Sequence, residues 1–226
     1  MDITGALGDF GNILAAASAV GTTSFGLVDS TKAFKGGISN AGFGHIETAV
    51  DGFRPALAVV NPGDPFQTMK ANWLNGVPKD DQKAIAKSLV RLGITPTTAA
   101  NLATAAPGVD RTLFAAAAVK VNAGEELTEQ EINMLGRFDA ILDARMDAGF
   151  ERADQLYRNA SKLLAAAISV VLSVAGMIVV QKGVPDAPDF FLALMVGLLA
   201  TPLAPIAKDI SSALSTTVAA LKSVKG

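Results

Sequence analysis

Three long apolar runs dominate the pattern of the chain, and they lie near its two ends. They cover residues 13–28, 163–180 and 190–207, and none of the three contains a charged side chain. A helix that spans a bilayer needs about 20 predominantly apolar residues. The pattern therefore predicts three transmembrane helices, of which the first is borderline in length and rich in small and hydroxyl residues.

Between the first two runs, the pattern changes to shorter amphipathic segments separated by glycine and proline. Residues 78–92 carry apolar side chains at helical spacing, and Gly93 follows as a helix terminator. The pattern also predicts a helix over residues 45–60, and another that begins with Thr95 as its N-cap and Pro96 at its first position. No segment shows a strand pattern of similar quality, so we expect an all-α fold.

A single long helix is predicted from residue 128 to residue 182, because no strong helix breaker occurs before Gly183. Thr128 and Glu131 have the spacing of a capping box, in which each side chain bonds the backbone amide of the other residue. At about 1.5 Å per residue, such a helix is roughly 80 Å long. We expect a stalk that continues directly into the second transmembrane helix.

The predicted architecture is an all-α integral membrane protein with three transmembrane helices and an inserted helical cytoplasmic domain. Lys and Arg near the apolar runs lie mostly beside the central segment and the C-terminus, which predicts that both are cytoplasmic and that the N-terminus is outside. We expect a multi-pass protein of the plasma (inner) membrane. The segments are an N-terminal tail with the first transmembrane helix (1–29), a soluble helical domain (30–127), the stalk with the second transmembrane helix (128–182), and the third transmembrane helix with an amphipathic C-terminal helix (183–226).

Composition agrees with a membrane protein and excludes several other classes. Hydrophobic residues make up 50% of the chain, charged residues 18%, and the mean hydropathy is +0.37, whereas soluble domains carry about 25% charged residues. The net charge of −2 provides no basic footprint for nucleic acid. The absence of cysteine excludes disulfides and thiolate metal sites.

Catalytic and metal-binding patterns are also missing. His45 is the single histidine, and together with Glu47 it makes no metal-binding motif, since zinc sites use three or four ligands. The glycines match neither the P-loop motif nor the dinucleotide-binding motif. We expect no enzyme activity, no cofactor and no metal. An enzyme would need a concave pocket that contains His45 or clustered carboxylates.

Charged residues are segregated on the predicted stalk. Four acidic residues recur every four positions and form what we call the acidic row: Asp139, Asp143, Asp147 and Glu151, with Asp154 close by. Three arginines lie on a different side of the helix: Arg137, Arg145 and Arg152. Three interpretations are open: a solvated face, a contact with the arginine side of a neighbouring subunit, or the lining of a pore vestibule that attracts cations.

Small residues within the apolar runs favour close helix packing, and two prolines favour a kink. The small-residue pairs are Ala17 with Gly21, Thr22 with Gly26, and Ser169 with Ser173; the prolines are Pro202 and Pro205. Together with the stalk, they predict a homo-oligomer in the lipid bilayer.

Two classes of function fit these patterns. The first is a homo-oligomeric membrane assembly that forms a pore or cation channel with an acidic cytoplasmic vestibule. The alternative is a non-conducting membrane scaffold or anchor whose soluble helical domain binds a partner. The direction in which the acidic row points is the feature that separates the two.

Overall fold

The computed structural model of the chain describes residues 3–31 and 37–203, with side chains from residue 13 onward in those ranges, residue 39 excepted. The described part is helical and contains no strand, which confirms the all-α prediction. Its α-helices are α1 (Ile3–Ser30), α2 (Phe43–Val50), α3 (Arg54–Val60), α4 (Gln67–Leu74), α5 (Lys79–Leu92), α6 (Ala99–Ala105), α7 (Arg111–Ala123), α8 (Glu129–Gln181) and α9 (Ala187–Leu203).

The chain divides into two compact units. Unit 1 comprises Met1–Ile38 and Arg158–Gly226, and unit 2 comprises Ser39–Tyr157. Within the described residues, unit 2 contains α2 to α7 and the first half of α8, whereas unit 1 contains α1, the second half of α8, and α9.

The predicted long helix is confirmed as α8, which extends without interruption over 53 residues. Its capping box also forms: the Thr128 amide donates to Glu131 Oε2 at 2.7 Å, and the Glu131 amide donates to Thr128 Oγ1 at 3.3 Å. Lys120 Nζ lies 2.9 Å from the same carboxylate. The hydrogen bond from Lys120, followed by that from the Thr128 backbone, holds the pKa of Glu131 below its ordinary value.

Unit 2 is organised around aromatic side chains that join α8 to the shorter helices. Phe138 of α8 meets Phe53 edge-on with ring centroids 5.6 Å apart, and it meets Phe114 of α7 at 4.7 Å. All three side chains are fully buried. Around them, α3 packs on α5, and α6 packs on α7. Burial of these large apolar side chains is the main stabilising contribution to unit 2.

Three glycines let the helices of unit 2 approach closely. A Cβ on Gly93 would lie 2.1 Å from the Ala56 carbonyl oxygen, and one on Gly149 would lie 2.5 Å from the Ala49 Cβ. Gly42 has φ +99° and would meet the Ala153 carbonyl oxygen at 2.3 Å. These contacts fix α3 against α5 and bring α2 against α8.

Two predicted helix boundaries in unit 2 are wrong. The predicted helix over residues 45–60 is divided into α2 and α3 by a 3₁₀ turn at Asp51–Phe53. Pro55 has no amide hydrogen to donate to the Asp51 carbonyl, and its ring clashes with that carbonyl in a continuous helix.

The second wrong boundary is the start of α6. It begins at Ala99 instead of directly after Thr95, because the threonines of this segment hydrogen-bond locally. The Thr95 amide donates to Thr98 Oγ1 at 2.9 Å, and Thr98 Oγ1 donates to the Gly93 carbonyl at 2.7 Å. The Thr98 amide also donates to Thr95 Oγ1 at 3.3 Å, and the Ala99 amide donates to the Thr95 carbonyl at 2.9 Å. Thr95 therefore caps the turn that leads into α6, as in a capping box, although the regular helix begins four residues later.

Unit 1 contains the apolar helices. α1 begins at Ile3, well before the apolar run at residue 13, so the predicted tail is helical from Ile3 onward. Between α8 and α9, Lys182 adopts φ 54°, and the Asp189 amide donates to Asp186 Oδ1 at 3.0 Å at the start of α9. Pro202 lies in the last described turn of α9, whereas Pro205 and the predicted amphipathic C-terminal helix lie outside the described residues.

Candidate functional site

The acidic row of α8 is bound by a basic row on α5 of the same chain. The basic row consists of Lys79, Lys83, Lys87 and Arg91, which also recur every four residues. The four pairs are Lys79 with Glu151, Lys83 with Asp147, Lys87 with Asp143, and Arg91 with Asp139. Each step of four residues forward on α5 matches four residues backward on α8, so the two helices are antiparallel here.

The geometry of these pairs is that of direct hydrogen-bonded salt bridges. The Nζ atoms of Lys79 and Lys83 lie 2.6 Å from their carboxylate oxygens, and that of Lys87 lies 2.5 Å from Asp143 Oδ2. Arg91 binds Asp139 with two nitrogens: Nε donates to Oδ1 at 3.0 Å, and a terminal nitrogen donates to Oδ2. A bidentate pair of this kind adds geometric specificity to the attraction.

These contacts satisfy the charges of the acidic row within unit 2. The hydrogen bond with Asp147 raises the pKa of Lys83, and the hydrogen bond with Asp139 raises that of Arg91. Partly exposed pairs contribute about 0.2–1 kcal/mol each. The row is therefore a modest stabilising contact whose regular spacing sets the register of α5 on α8.

The three surroundings predicted for the acidic row, namely solvent, a neighbouring subunit and a pore, do not include α5 of the same chain. A signal was present, because the basic row has the same four-residue period over the same length as the acidic row. Two amphipathic helices with complementary charged edges and a turn-rich connection are candidates for an antiparallel pair.

Reversing two charges of the basic row should destabilise unit 2. In a Lys83→Glu, Lys87→Glu variant, each new carboxylate faces an aspartate, so two attractions are replaced by repulsions. We expect the free energy of unfolding to fall by about 1–3 kcal/mol at low salt, and less at high salt. The measurement is denaturant unfolding of the full chain in detergent micelles, followed by the fluorescence of Trp73, the single tryptophan.

The control for this variant is the complementary reversal. Adding Asp143→Lys and Asp147→Lys restores opposite charges across the contact and should recover most of the lost stability. The reference is a variant with Asp143→Lys and Asp147→Lys alone. If the loss of stability in the fourfold variant equals the sum of the losses in the two double variants, the two rows do not interact and the pairing with α5 is refuted.

The three arginines predicted as interface candidates, Arg137, Arg145 and Arg152, lie in different surroundings. The guanidinium of Arg137 lies directly over Gly108, a residue with φ +80°. Arg145 and Arg152 line a cavity of about 240 Å³ together with His45 and Thr48 of α2. From the sequence, these arginines are pore or subunit-interface candidates and His45 makes no metal-binding motif, and no local pattern places them together.

Four of the six packing residues predicted in the apolar runs form part of a core of small side chains in unit 1. Every buried residue of this unit with a described side chain, except Val28, is Ala, Gly or Ser: Ala17, Gly21, Ser24, Ala165, Ser169, Ser173, Ala193, Gly197 and Ala200. Thr22 and Gly26, by contrast, lie on the exposed face of α1.

The small side chains bring the three helices of unit 1 into direct contact. Ser169 Oγ donates to Ser24 Oγ at 2.7 Å, and Ser24 Oγ donates to the Val20 carbonyl at 2.8 Å. A Cβ on Gly197 would lie 2.5 Å from the Val170 Cα. This combination of close backbone approach and hydroxyl bonds is the usual packing of helices in membranes.

The large apolar side chains of unit 1 point outward. Leu163 is 74% exposed, Val171 65% and Val179 75%. Two helices are long and apolar enough to cross a membrane, α1 and α8, and α9 is a shorter apolar helix. Within the chain, only 17% of the most apolar window of α8 is buried, whereas a core helix of a soluble protein is mostly buried.

Among residues 3–31 and 37–203, no three His, Asp or Glu side chains are grouped as possible metal ligands. The cavity at His45 contains no carboxylate among its lining residues. In comparisons with protein-family models, curated proteins and solved structures, nothing matches the chain.

Proposed function

We propose that the chain is a membrane scaffold or anchor: unit 1 lies in the bilayer and unit 2 is a helical domain that binds a partner outside it. The observation that carries the proposal is the distribution of side-chain size in unit 1, with small residues inside and large apolar residues outside. In water this arrangement exposes apolar surface without compensation. In lipid the outward side chains are solvated, and the small residues allow the helices to pack.

The same proposal includes the predicted orientation, with the N-terminus outside and unit 2 in the cytoplasm. It is supported by the distribution of Lys and Arg beside the apolar runs. The exposed Thr22 and Gly26 on α1 leave a small-residue surface that suits a second copy of the chain.

The charge pairs of the acidic row argue against a pore. A cation pore would require the acidic row to line a vestibule with free carboxylates, whereas each carboxylate of that row is bound by Lys or Arg of α5. A neutralised row attracts cations weakly. We therefore expect the purified chain, reconstituted in planar bilayers, to show no steady conductance.

The decisive test of the membrane location is a charge on the outward face of α8. Val171 is exposed and lies at the middle of the apolar run. An arginine there is harmless in water, but it costs about 2.5–3.5 kcal/mol or more at the centre of a bilayer. We expect wild-type chain to resist alkaline extraction from membranes and Val171→Arg to lose most of its membrane-integrated fraction.

Val119→Arg is the matched control, because Val119 is 51% exposed on α7 of unit 2 and is placed in water by the proposal. It should leave the membrane-integrated fraction unchanged. The proposal fails if the wild-type chain is extracted into the soluble fraction, or if Val171→Arg is tolerated as well as Val119→Arg.

A further inference from the structure

The side of α8 opposite the acidic row carries positive charge that no described residue neutralises. At about 100° per residue, Arg145 lies roughly 160–200° around the helix from Asp143 and Asp147. Those two aspartates face α5, whereas Arg145, Gly149 and Arg152 face α2. In this stretch of α8 the acidic row has counter-charges on α5, whereas Arg145 and Arg152 form no ion pair with a described residue.

The shape of this face is a shallow cavity between α2 and α8. Gly149 lies against Ala49, which brings the two helices together and leaves the floor without bulky side chains. The cavity of about 240 Å³ is smaller than the roughly 300–1,000 Å³ of ordinary small-molecule sites. It therefore suits a single compact charged group rather than a nucleotide or an organic cofactor.

Arg145 is held in position before any ligand arrives. Its guanidinium lies over the ring of Phe53, with Cζ 5.6 Å from the ring centroid, and it is half-buried beside Gly52. Within the described residues no carboxylate forms an ion pair with it or with Arg152, although burial of an unpaired charge is unfavourable. An arriving anion gains from a guanidinium whose side-chain entropy is already reduced.

The hydrogen-bond donors that line the cavity are of the kind that bind a tetrahedral oxyanion such as phosphate. The two arginines supply planar forks of N–H groups that suit phosphate oxygens, and the imidazole of His45 adds a ring donor. Thr48 is already engaged, because its hydroxyl donates to the Gly44 carbonyl at 2.8 Å. A phosphate group has more acceptor oxygens and more charge than a carboxylate, so it uses this donor set more fully.

We propose that the cavity formed by His45, Arg145 and Arg152 binds a phosphate group. The site lies entirely within unit 2, so the proposal does not depend on the membrane location of unit 1. The phosphate group belongs either to a small soluble phosphate compound or to the headgroup of a phospholipid, and the same chemistry serves both.

The first experiment is calorimetric titration of the full chain, in neutral detergent micelles, with inorganic phosphate at constant ionic strength. We expect saturable binding to the wild type and a dissociation constant raised roughly tenfold or more in Arg152→Gln, which removes one charge-assisted fork. Arg152 is exposed, so this variant should fold normally, and the unfolding curve from Trp73 fluorescence verifies that. Arg152→Lys keeps the charge but loses the fork and should fall between the two.

The matched control is Arg111→Gln, which removes the same charge from an exposed position at the start of α7. It should bind phosphate as the wild type does. The proposal is overturned if the wild type shows no saturable binding, or if Arg152→Gln and Arg111→Gln bind phosphate equally well.

A second arm distinguishes the two sources of the group. The chain is placed in nanodiscs of phosphatidylcholine alone, or of phosphatidylcholine with phosphatidic acid, and titrated again with inorganic phosphate. Loss of the phosphate binding only in the presence of phosphatidic acid, in the wild type and in Arg111→Gln alike, assigns the site to a lipid headgroup. Unchanged binding in both nanodiscs assigns it to a soluble phosphate compound.

Discussion

Replacing Phe138 with alanine should destabilise unit 2 more than any other single truncation that we predict. Phe138 is fully buried on α8 and contacts both Phe53 and Phe114. Truncation of a buried phenylalanine costs about 3–5 kcal/mol, because transfer energy is lost and a cavity remains. We expect a loss of that size in the free energy of unfolding of the full chain in detergent, measured by the fluorescence of Trp73.

The control for Phe138→Ala is Leu92→Ala at the end of α5. Leu92 is 69% exposed, so its truncation should change the free energy of unfolding by less than about 0.5 kcal/mol. If both variants lose similar stability, the aromatic cluster is not the core of unit 2, and the arrangement of α7 and α8 described above is incorrect.

Gly42→Ala should produce the second-largest effect, and it should act through the backbone. Gly42 has φ +99°, where alanine is strained by about 1–2 kcal/mol. Its new Cβ would also lie 2.3 Å from the Ala153 carbonyl oxygen. Because this oxygen belongs to the backbone of α8, the clash is relieved only if the whole helix shifts. We expect a total loss of about 2–5 kcal/mol in the free energy of unfolding, from the same denaturation experiment.

Gly76→Ala separates the two causes. Gly76 also has positive φ, at +67°, but a Cβ added there would have no neighbouring atom within 4 Å. The free energy of unfolding of Gly76→Ala should therefore fall only by the strain contribution of about 1–2 kcal/mol. Equal losses in the two glycine variants would show that the close approach of Gly42 to α8 does not exist.

The Gly42 variant also bears on the proposed phosphate site. Gly42 immediately precedes α2, and its contact with Ala153 helps to hold α2 against α8. The cavity at His45 and Arg152 lies between these same helices. A change that moves α2 away from α8 should weaken phosphate binding even where the chain remains folded, because His45 on α2 then moves away from the two arginines on α8.

Much of the local structure was predictable from the sequence alone. The start of α8 followed from the capping box of Thr128 and Glu131, and its length followed from the absence of a breaker before Gly183. The extent of α5 followed from its apolar spacing and from Gly93. These features depend on interactions within about four residues along the chain, which a single sequence contains explicitly.

Where several local rules compete, prediction from the sequence failed. The segment 45–60 has helical character throughout, but Pro55 removes one backbone bond and divides it. Thr95 does accept the Thr98 amide as an N-cap, at 3.3 Å, yet the regular turns of α6 begin only at Ala99. In both places, bonds of similar strength compete, and the surrounding packing decides between them.

The tertiary structure alone decided which surfaces meet. The acidic row was evident in the sequence, but its partners on α5 lie 48–72 residues away, beyond the reach of any helical periodicity. The same holds for His45 and the arginines of α8, and for the small residues that join α1, α8 and α9 in unit 1. Periodicity specifies the faces of a helix, whereas long-range packing and register select the neighbour of each face, because many pairings satisfy the same local pattern.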